Sequence, residues 1–96
     1  MNFRYKKAYL KRFDHFSPSE KDLIIYADTQ IRNYYSAQTA PCGLRIKKLY
    51  SKGKDKIFEA RATDKIRILW VESEDLVSFV ILGNHDEVRK YIKSLR

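Results

Sequence analysis

The stretch that decides the fold runs from Lys56 to Leu82 and reads KIFEARATDKIRILWVESEDLVSFVIL. Its β-branched and aromatic residues cluster in short runs, which are separated by polar residues around Asp64 and Glu74. Short runs of this kind between turn residues are typical of β-strands joined by tight turns. The stretch therefore predicts three consecutive strands.

The register of the first two strands can be derived from their side chains. A loop of Thr63, Asp64 and Lys65 collects the apolar residues on one face of the hairpin. A two-residue loop would instead pair charged residues with apolar ones on both faces, which a half-buried sheet disfavours. The three-residue loop predicts that Ala62 faces Ile66, Arg61 faces Arg67, Ala60 faces Ile68, Glu59 faces Leu69 and Phe58 faces Trp70.

The composition is that of a small, basic, globular protein. The chain has 96 residues, of which 44% are hydrophobic, so we expect one domain over residues 1–96 with a single core. Twenty lysines and arginines against twelve acidic residues give a formal net charge of +8. This excess favours a polyanionic partner such as nucleic acid, although many small proteins use positive charge only to stay soluble.

The single cysteine, Cys42, excludes an internal disulfide and indicates a reducing compartment. No second cysteine or histidine cluster accompanies it, so we expect neither a metal nor another cofactor. The N-terminus lacks the apolar run of a secretory signal, and no segment has the length of a membrane span. We therefore expect a cytoplasmic protein without a membrane partner.

The N-terminal half predicts a short strand followed by two helices. We predict the strand at Asn2–Tyr5 and a first helix from about Lys6. Ser17-Pro18-Ser19-Glu20 then marks a second helix start, with Ser17 as the N-cap, and this helix should end at Ser36 or Ala37. The apolar positions are Tyr9, Leu10, Phe13 and Phe16 in the first helix, and Leu23, Ala27, Ile31 and Tyr34 or Tyr35 in the second.

Residues 38–43 end in Pro-Cys-Gly and predict a break between the helical half and the strand half. The next segment, Leu44–Leu49, alternates in polarity and predicts a strand, followed by a polar turn from Ser51 to Asp55. Leu44 and Ile46 would share one face of this strand, and Arg45 and Lys47 the other.

The third strand of the central stretch, Leu76–Leu82, is nearly all apolar, which is typical of a central strand. Asn84 is the predicted N-cap of a final helix whose Val88, Ile92 and Leu95 face inward. The order of elements predicts an α+β fold. A helical hairpin and the C-terminal helix would pack on one face of a mostly antiparallel sheet of four to five strands, and the other face would stay at least partly open.

The open face is predicted to carry the candidate functional residues. Arg61 and Arg67 face each other, which destabilises a sheet unless an anion lies between them, and Glu59 offers partial relief. Two guanidinium groups can bind a phosphate and stabilise the charge of a phosphorane-like transition state. The alternative is a solvated face with one salt bridge.

Further candidates lie in the helices and on the basic surface. His85 is at the first turn of the final helix, where the macrodipole favours a neutral ring that can act as a base, or where the residue merely occupies a cap. His15 is assigned a surface role, and Tyr91 either packs in the core or stacks on a base. Basic residues that could contact a phosphate backbone are Arg45, Lys47, Lys48, Lys54, Lys56, Lys65 and Arg89, although lysines also protect sheet edges.

Three segments together resemble the RelE/ParE toxin superfamily of bacterial toxin-antitoxin systems, and in particular its mRNA interferases. They are GLRIKKL (residues 43–49), KIFEARATDKIRILW (56–70) and LVSFVILGNHDEVRKYI (76–92). Their order and spacing carry the resemblance, since no single motif is decisive. The resemblance implies the RelE-like microbial ribonuclease fold and, as a partner, a cognate antitoxin through which alone operator DNA would be contacted.

The activity that the resemblance implies is that of a ribosome-dependent endoribonuclease, which cuts mRNA in the decoding site formed by 16S ribosomal RNA and so inhibits translation. In such enzymes the 2′-hydroxyl attacks the adjacent phosphate. Tyr91 departs from the family pattern, because it lies inside a predicted helix. By position, the resemblance implies catalytic roles for Glu59 as base, Arg61 and Arg67 as phosphate-binding cations, His85 as acid or base, and Tyr91 as the terminal aromatic.

Two other functions remain open from the sequence. The ParE branch of the same superfamily poisons DNA gyrase without hydrolysis, and its members lack a coherent catalytic set on the open face. A catalytically inactive basic module that only binds its antitoxin is the third reading. The presence of Glu59, Arg61, Arg67 and His85 together favours the nuclease.

Overall fold

The computed structural model describes residues 1–37 and 44–95, which form three helices on a five-stranded sheet. The strand order is β1-β5-β4-β3-β2, with β1 parallel to β5 and every other pair antiparallel. The predicted α+β class with a mostly antiparallel sheet is confirmed. The elements are β1 (Asn2–Tyr5), α1 (Lys7–Phe13), α2 (Pro18–Ala37), β2 (Lys47–Lys52), β3 (Asp55–Arg61), β4 (Arg67–Ser73), β5 (Leu76–Gly83) and α3 (His85–Leu95).

The register of the β3–β4 hairpin is the predicted one. Arg61 is the direct partner of Arg67, Glu59 of Leu69, and Phe58 of Trp70. The backbone N–H of Ala62 donates to the carbonyl oxygen of Ile66 at 2.9 Å and closes the three-residue loop. The apolar face of the hairpin packs in the core, so side-chain burial determines which residues point to the opposite face.

Strand β5 lies inside the sheet and is covered on both faces. Val77, Phe79 and Leu82 pack in a cluster with residues of α1 and α2, whereas Val80 and Ile81 pack with Val88 of α3. The C-terminal helix therefore lies on the opposite face from α1 and α2, and the prediction that all three helices share one face is wrong. An uninterrupted apolar strand indicates cover on both faces, but does not tell which helix supplies it.

Helix α2 begins at the predicted capping box. The backbone N–H of Ser17 donates to Glu20 Oε1 at 2.9 Å, and the N–H of Glu20 donates to Ser17 Oγ at 3.3 Å. One position of the predicted buried stripe is wrong, because Ile24 is buried and Leu23 is exposed. Ala27 and Ile31 are buried as predicted, and half-buried Tyr35 accepts a hydrogen bond from Trp70 Nε1 at 2.8 Å.

Helix α1 is shorter than its apolar pattern. It ends at Phe13, so Phe16 packs against the core from the following turn, and Leu10 is exposed although it was predicted to be inward. Tyr9 is buried, and its ring packs in a tilted arrangement against the rings of Tyr5 and Phe79. The strand β1 was predicted with the same bounds and is confirmed.

Strand β2 begins three residues later than predicted. Arg45 has a φ of 49°, a left-handed backbone that cannot continue a strand, so pairing starts at Lys47. The predicted five-residue turn is in fact a two-residue turn, because Ser51 and Lys52 pair with β3 and Gly53 supplies a φ of 61°. The predicted break with Cys42 falls outside the described residues.

Candidate active site

A groove of about 440 Å³ lies between α3 and the strands β2, β3 and β4. It occupies the part of the sheet that α3 leaves uncovered, because α3 packs over β4 and β5. Five cationic side chains and one carboxylate line it, so the groove attracts anions. The lining residues are Lys47, Leu49, Tyr50, Glu59, Arg61, Arg67, His85, Arg89, Ile92 and Lys93.

The floor of the groove is the charged face of the β3–β4 hairpin. Arg67 forms an ion pair through Nη1 with Glu59 Oε1, and the two side chains keep only 17% and 13% of their exposure. Arg61 lies directly opposite Arg67 and is half-buried. The single carboxylate therefore compensates one of two adjacent guanidinium groups, which leaves net positive charge at the floor.

Arg67 also carries an unused donor. Its Nε–H is buried and has no acceptor among the described residues. A buried N–H without a partner is unfavourable by about 1–3 kcal/mol, which an incoming oxyanion would relieve. Because guanidinium groups bind phosphate in a bidentate manner, this donor suits a phosphate oxygen.

The first turn of α3 forms one wall of the groove. Arg89 Nε donates to His85 Nε2 at 2.9 Å, and both side chains line the groove. Residues four apart lie on one flank of a helix, so the pair is presented together. His85 Nδ1 lies 3.5 Å from Asp86 Oδ1, which is almost fully exposed.

The position of His85 depends on the cap of α3. Asn84 Oδ1 accepts from the N–H of Glu87 at 2.9 Å, and Glu87 Oε1 accepts from the N–H of Asn84 at 3.0 Å. Glu87 Oε2 also forms an ion pair with Arg12 of α1. A Cβ at Gly83 would lie 3.0 Å from the Glu87 side chain, so glycine there leaves room for the capping carboxylate.

A smaller groove of about 260 Å³ continues from the first. It shares Lys47, Glu59, Arg61 and Arg67 and adds Arg45 and Ile46. The left-handed backbone of Arg45 brings it to this groove from outside the sheet. A chain of phosphates passing over Arg61 and Arg67 can therefore meet further cations on the side of β2.

The structure separates the remaining predicted residues from the groove. Half-buried Tyr91 packs against the cluster of Ile57, Leu69, Val80, Ile81 and Val88. Lys48 pairs with Phe58 and Lys56 with Glu72, which places both on the face of α1 and α2. Lys54 pairs with Glu74 at the far end of the sheet, and Lys65 is exposed in the hairpin loop.

Four lining residues were missed by the sequence analysis: Leu49, Tyr50, Ile92 and Lys93. The register of β2 shifts between Lys48 and Tyr50, so Leu49 and Tyr50 both reach the face of α3. Nothing in the sequence marks this bulge. Lys93 lies four residues after Arg89, and that spacing could have indicated it.

The described residues contain no group of three or more histidine, cysteine, aspartate or glutamate side chains that could hold a metal ion. Their helices also include none that is long and apolar enough to cross a membrane. The groove offers guanidinium and ammonium groups, one imidazole, one carboxylate and one phenol.

No protein-family model matches the chain, and no curated protein is similar to it in sequence. Solved structures do match. The archaeal RelE of the RelE-RelB complex from Pyrococcus horikoshii OT3 has a TM-score of 0.66 at 14% identity, over 86% of this chain and 92% of that chain. The chain has the RelE-like toxin fold.

Two bacterial proteins share the RelE-like fold with comparable scores. YafQ from E. coli strain BL21(DE3) has a TM-score of 0.65 at 15% identity, over 91% of this chain and 96% of that one. The YoeB dimer from Staphylococcus aureus has a TM-score of 0.65 at 10% identity, over 88% and 97% of the two chains. RelE and YafQ have been solved in complexes with RelB and DinJ. At these identities, the proteins share the RelE-like fold with this chain. The roles of the groove residues follow from the side chains of this chain.

Proposed function

We propose that the chain is the toxin of a type II toxin-antitoxin system and cleaves mRNA on the ribosome. The observation that carries this proposal is the groove that Arg61, Arg67 and His85 line together, on a fold shared with RelE-like toxins. The combination provides a phosphate-binding floor and a proton-transfer group in one wall.

The scissile phosphate would bind over the hairpin floor. Arg67 offers its buried Nε–H, and Glu59 holds the guanidinium in place through Nη1. Arg61 supplies a second cation from the facing strand. In the transition state, negative charge grows on the phosphate oxygens, and two fixed guanidinium groups stabilise it more than they stabilise the ground state.

We assign the base to His85. Its Nε2 accepts a hydrogen bond from Arg89, so this nitrogen carries a lone pair. In the proposed reaction the imidazole takes the proton of the 2′-hydroxyl while the 2′-oxygen attacks phosphorus. The bond from phosphorus to the 5′-oxygen breaks, and the 5′-oxygen takes up a proton from solvent water, which leaves a 2′,3′-cyclic phosphate and a 5′-hydroxyl.

The partners follow from the charge of the groove. Ribosomal RNA and mRNA are polyanions, and the cations around Arg45, Lys47 and Lys93 extend the attractive surface beyond one phosphate. The antitoxin would be a protein with an acidic segment that covers the same groove, since complementary charge both attracts and blocks. We place this activity in the cytoplasm, where mRNA is translated.

The test is cleavage of mRNA by the purified protein, with and without programmed ribosomes, with ends mapped by primer extension. The wild type is compared with Arg67→Ala, Arg67→Lys and the control Lys54→Ala, which removes an exposed cation far from the groove. We expect ribosome-dependent cuts that disappear in Arg67→Ala, weaken in Arg67→Lys because lysine binds phosphate through a single point charge, and persist in Lys54→Ala.

Equal cleavage by wild type and Arg67→Ala would contradict the proposed phosphate site. Absence of cleavage by the wild type, together with gyrase-linked DNA breaks in growing cells, would assign the chain to gyrase poisoning instead. Growth arrest by the wild type that is lost in Arg67→Ala, with an unchanged unfolding curve, would support the proposal in vivo.

A further inference from the structure

The hydrogen bond between Arg89 and His85 occupies the nitrogen that catalysis requires. Arg89 Nε lies 2.9 Å from His85 Nε2. Arginine is always protonated and can only donate, so Nε2 must be the acceptor and the proton of the neutral ring must be on Nδ1. Nδ1 in turn faces the exposed carboxylate of Asp86 at 3.5 Å.

Arg89 is held only weakly in this position. None of the six ion pairs among the described residues includes it. The one carboxylate that lines the groove, Glu59, is already paired with Arg67. The partner of Arg89 is therefore a neutral nitrogen, while its cationic neighbours are Lys47, Arg61, Arg67 and Lys93.

A phosphate entering this groove changes the preference of Arg89. Hydrogen bonds to an anionic oxygen are roughly twice as strong as those to a neutral acceptor. The phosphate also neutralises the repulsion among the cations that line the groove. Both effects favour movement of the guanidinium from the imidazole to the phosphate.

We propose that Arg89 is a positioning residue that blocks Nε2 of His85 in the free protein and releases it when a phosphate binds. The use of the released nitrogen as a base rests on the proposed function. In the free protein, Nε2 cannot accept a proton from a stray hydroxyl or solvent, whereas in the complex it becomes free beside the bound phosphate. Arg89 thus makes the availability of His85 Nε2 depend on phosphate binding in the groove.

The first test does not require cleavage. The ¹⁵N chemical shifts of the two ring nitrogens of His85 are measured with and without inorganic phosphate, in the wild type, Arg89→Ala and Lys90→Ala. Lys90 is the matched control, because it is an exposed cation on α3 that does not line the groove. We expect the ring of the wild type to keep its proton on Nδ1 throughout, and the shift of Nε2 to move to that of an imidazole nitrogen without a hydrogen bond when phosphate is added. Arg89→Ala should show the moved Nε2 shift without phosphate, and Lys90→Ala should behave like the wild type.

The result that overturns the proposal is an Nε2 shift that is the same in the wild type and Arg89→Ala, a ring that carries its proton on Nε2 when phosphate is bound, or a wild-type ring that does not respond to phosphate. An equal response in Lys90→Ala and Arg89→Ala would also overturn it, because a general charge effect would then suffice. The chemical shifts can be measured whether or not the protein cleaves RNA. They therefore test the role of Arg89 separately from the proposed function.

The second test separates binding from chemistry. Arg89→Ala should raise KM by about tenfold or more, because a charge-assisted contact to phosphate is lost. Its kcat at saturating RNA should fall less than that of His85→Ala, because Nε2 can still act as the base without Arg89. A fall in kcat as large as that of His85→Ala would overturn the role of Arg89 as a positioning residue and make it a catalytic one.

Discussion

Arg61 and Arg67 are direct cross-strand partners, and the ion pair with Glu59 involves Arg67. Like charges in facing positions destabilise a sheet, and the groove above them is lined by further cations. In the free protein, the guanidinium groups of Arg61 and Arg67 therefore repel each other at the floor of the groove. Any anion that binds there should stabilise the fold as well as occupy the site.

A phosphate-dependent gain in stability is the first prediction. At a tenfold excess of inorganic phosphate over its Kd, binding to the folded state adds about 1.4 kcal/mol, which corresponds to a rise in Tm of roughly 7 °C. The measurement is thermal unfolding at constant ionic strength, with chloride as the reference salt. Arg67→Ala should lose the gain, and Lys54→Ala should retain it. A wild type whose Tm is the same in both salts would contradict the anion site.

Glu59→Gln tests whether this carboxylate orients Arg67 or is itself the base. Glutamine keeps the size of the side chain and one acceptor oxygen but removes the charge that pairs with Arg67. If Glu59 only orients the guanidinium, the cleavage rate should fall by about tenfold, the effect of one weakened charge-assisted contact. A loss of about 10²-fold or more, with a flattened acidic limb of the pH-rate profile, would instead assign the base to Glu59. His85→Ala, measured in parallel, is expected to give the larger loss.

Asp28 should make stability depend on pH. The carboxylate is buried, Tyr5 Oη donates to it at 2.8 Å and Arg32 lies 3.4 Å away. Burial raises the pKa of Asp28 above its usual 3.8, against the opposing effects of Tyr5 and Arg32. The folded state therefore binds more protons than the unfolded state between 3.8 and the raised pKa, so the free energy of unfolding falls as pH rises through that window.

Asp28→Asn removes this penalty while an amide oxygen can still accept from Tyr5. We expect the variant to be more stable than the wild type at pH 7, with a difference that shrinks as the pH falls below the window. Urea unfolding followed by the fluorescence of Trp70, the single tryptophan, measures it at several pH values. Asp22→Asn, an exposed aspartate of the same helix, is the control and should show no such trend. A difference in stability between Asp28→Asn and the wild type that does not vary with pH would contradict the raised pKa of Asp28.

The cap of α3 should affect both stability and activity. Asn84→Ala removes the acceptor for the Glu87 N–H and should destabilise the protein by about 1 kcal/mol, or roughly 5 °C in Tm. Because the same turn presents His85, cleavage should fall more than the loss of folded protein explains. Asn84→Asp keeps an acceptor and places a negative charge at a helix N-terminus, so it should restore stability. A cleavage rate per folded molecule that is the same in Asn84→Ala and the wild type would contradict the link between cap and base.

The local parts of the fold were predictable because they depend on neighbouring residues. The capping boxes at Ser17 and Asn84 are complete within four residues of sequence, and the hairpin register follows from one loop length and the side-chain period of two. The pair Arg61 and Arg67 was therefore located from the sequence. One position of the buried stripe of α2 was missed, because Leu23 and Ile24 are both apolar and only packing distinguishes them.

The sequence by itself determined the strands, the turn chemistry, the helix starts and the presence of two arginines on one face of a hairpin. Only the tertiary structure decided that α3 crosses to that face, buries Tyr91 beneath it and brings His85 and Arg89 to the wall of a groove. The bulge that turns both Leu49 and Tyr50 to this face was likewise decided there. The physical reason is that hydrogen bonds and alternation act over a few residues, whereas the side of a sheet that a helix covers depends on the packing of all elements together.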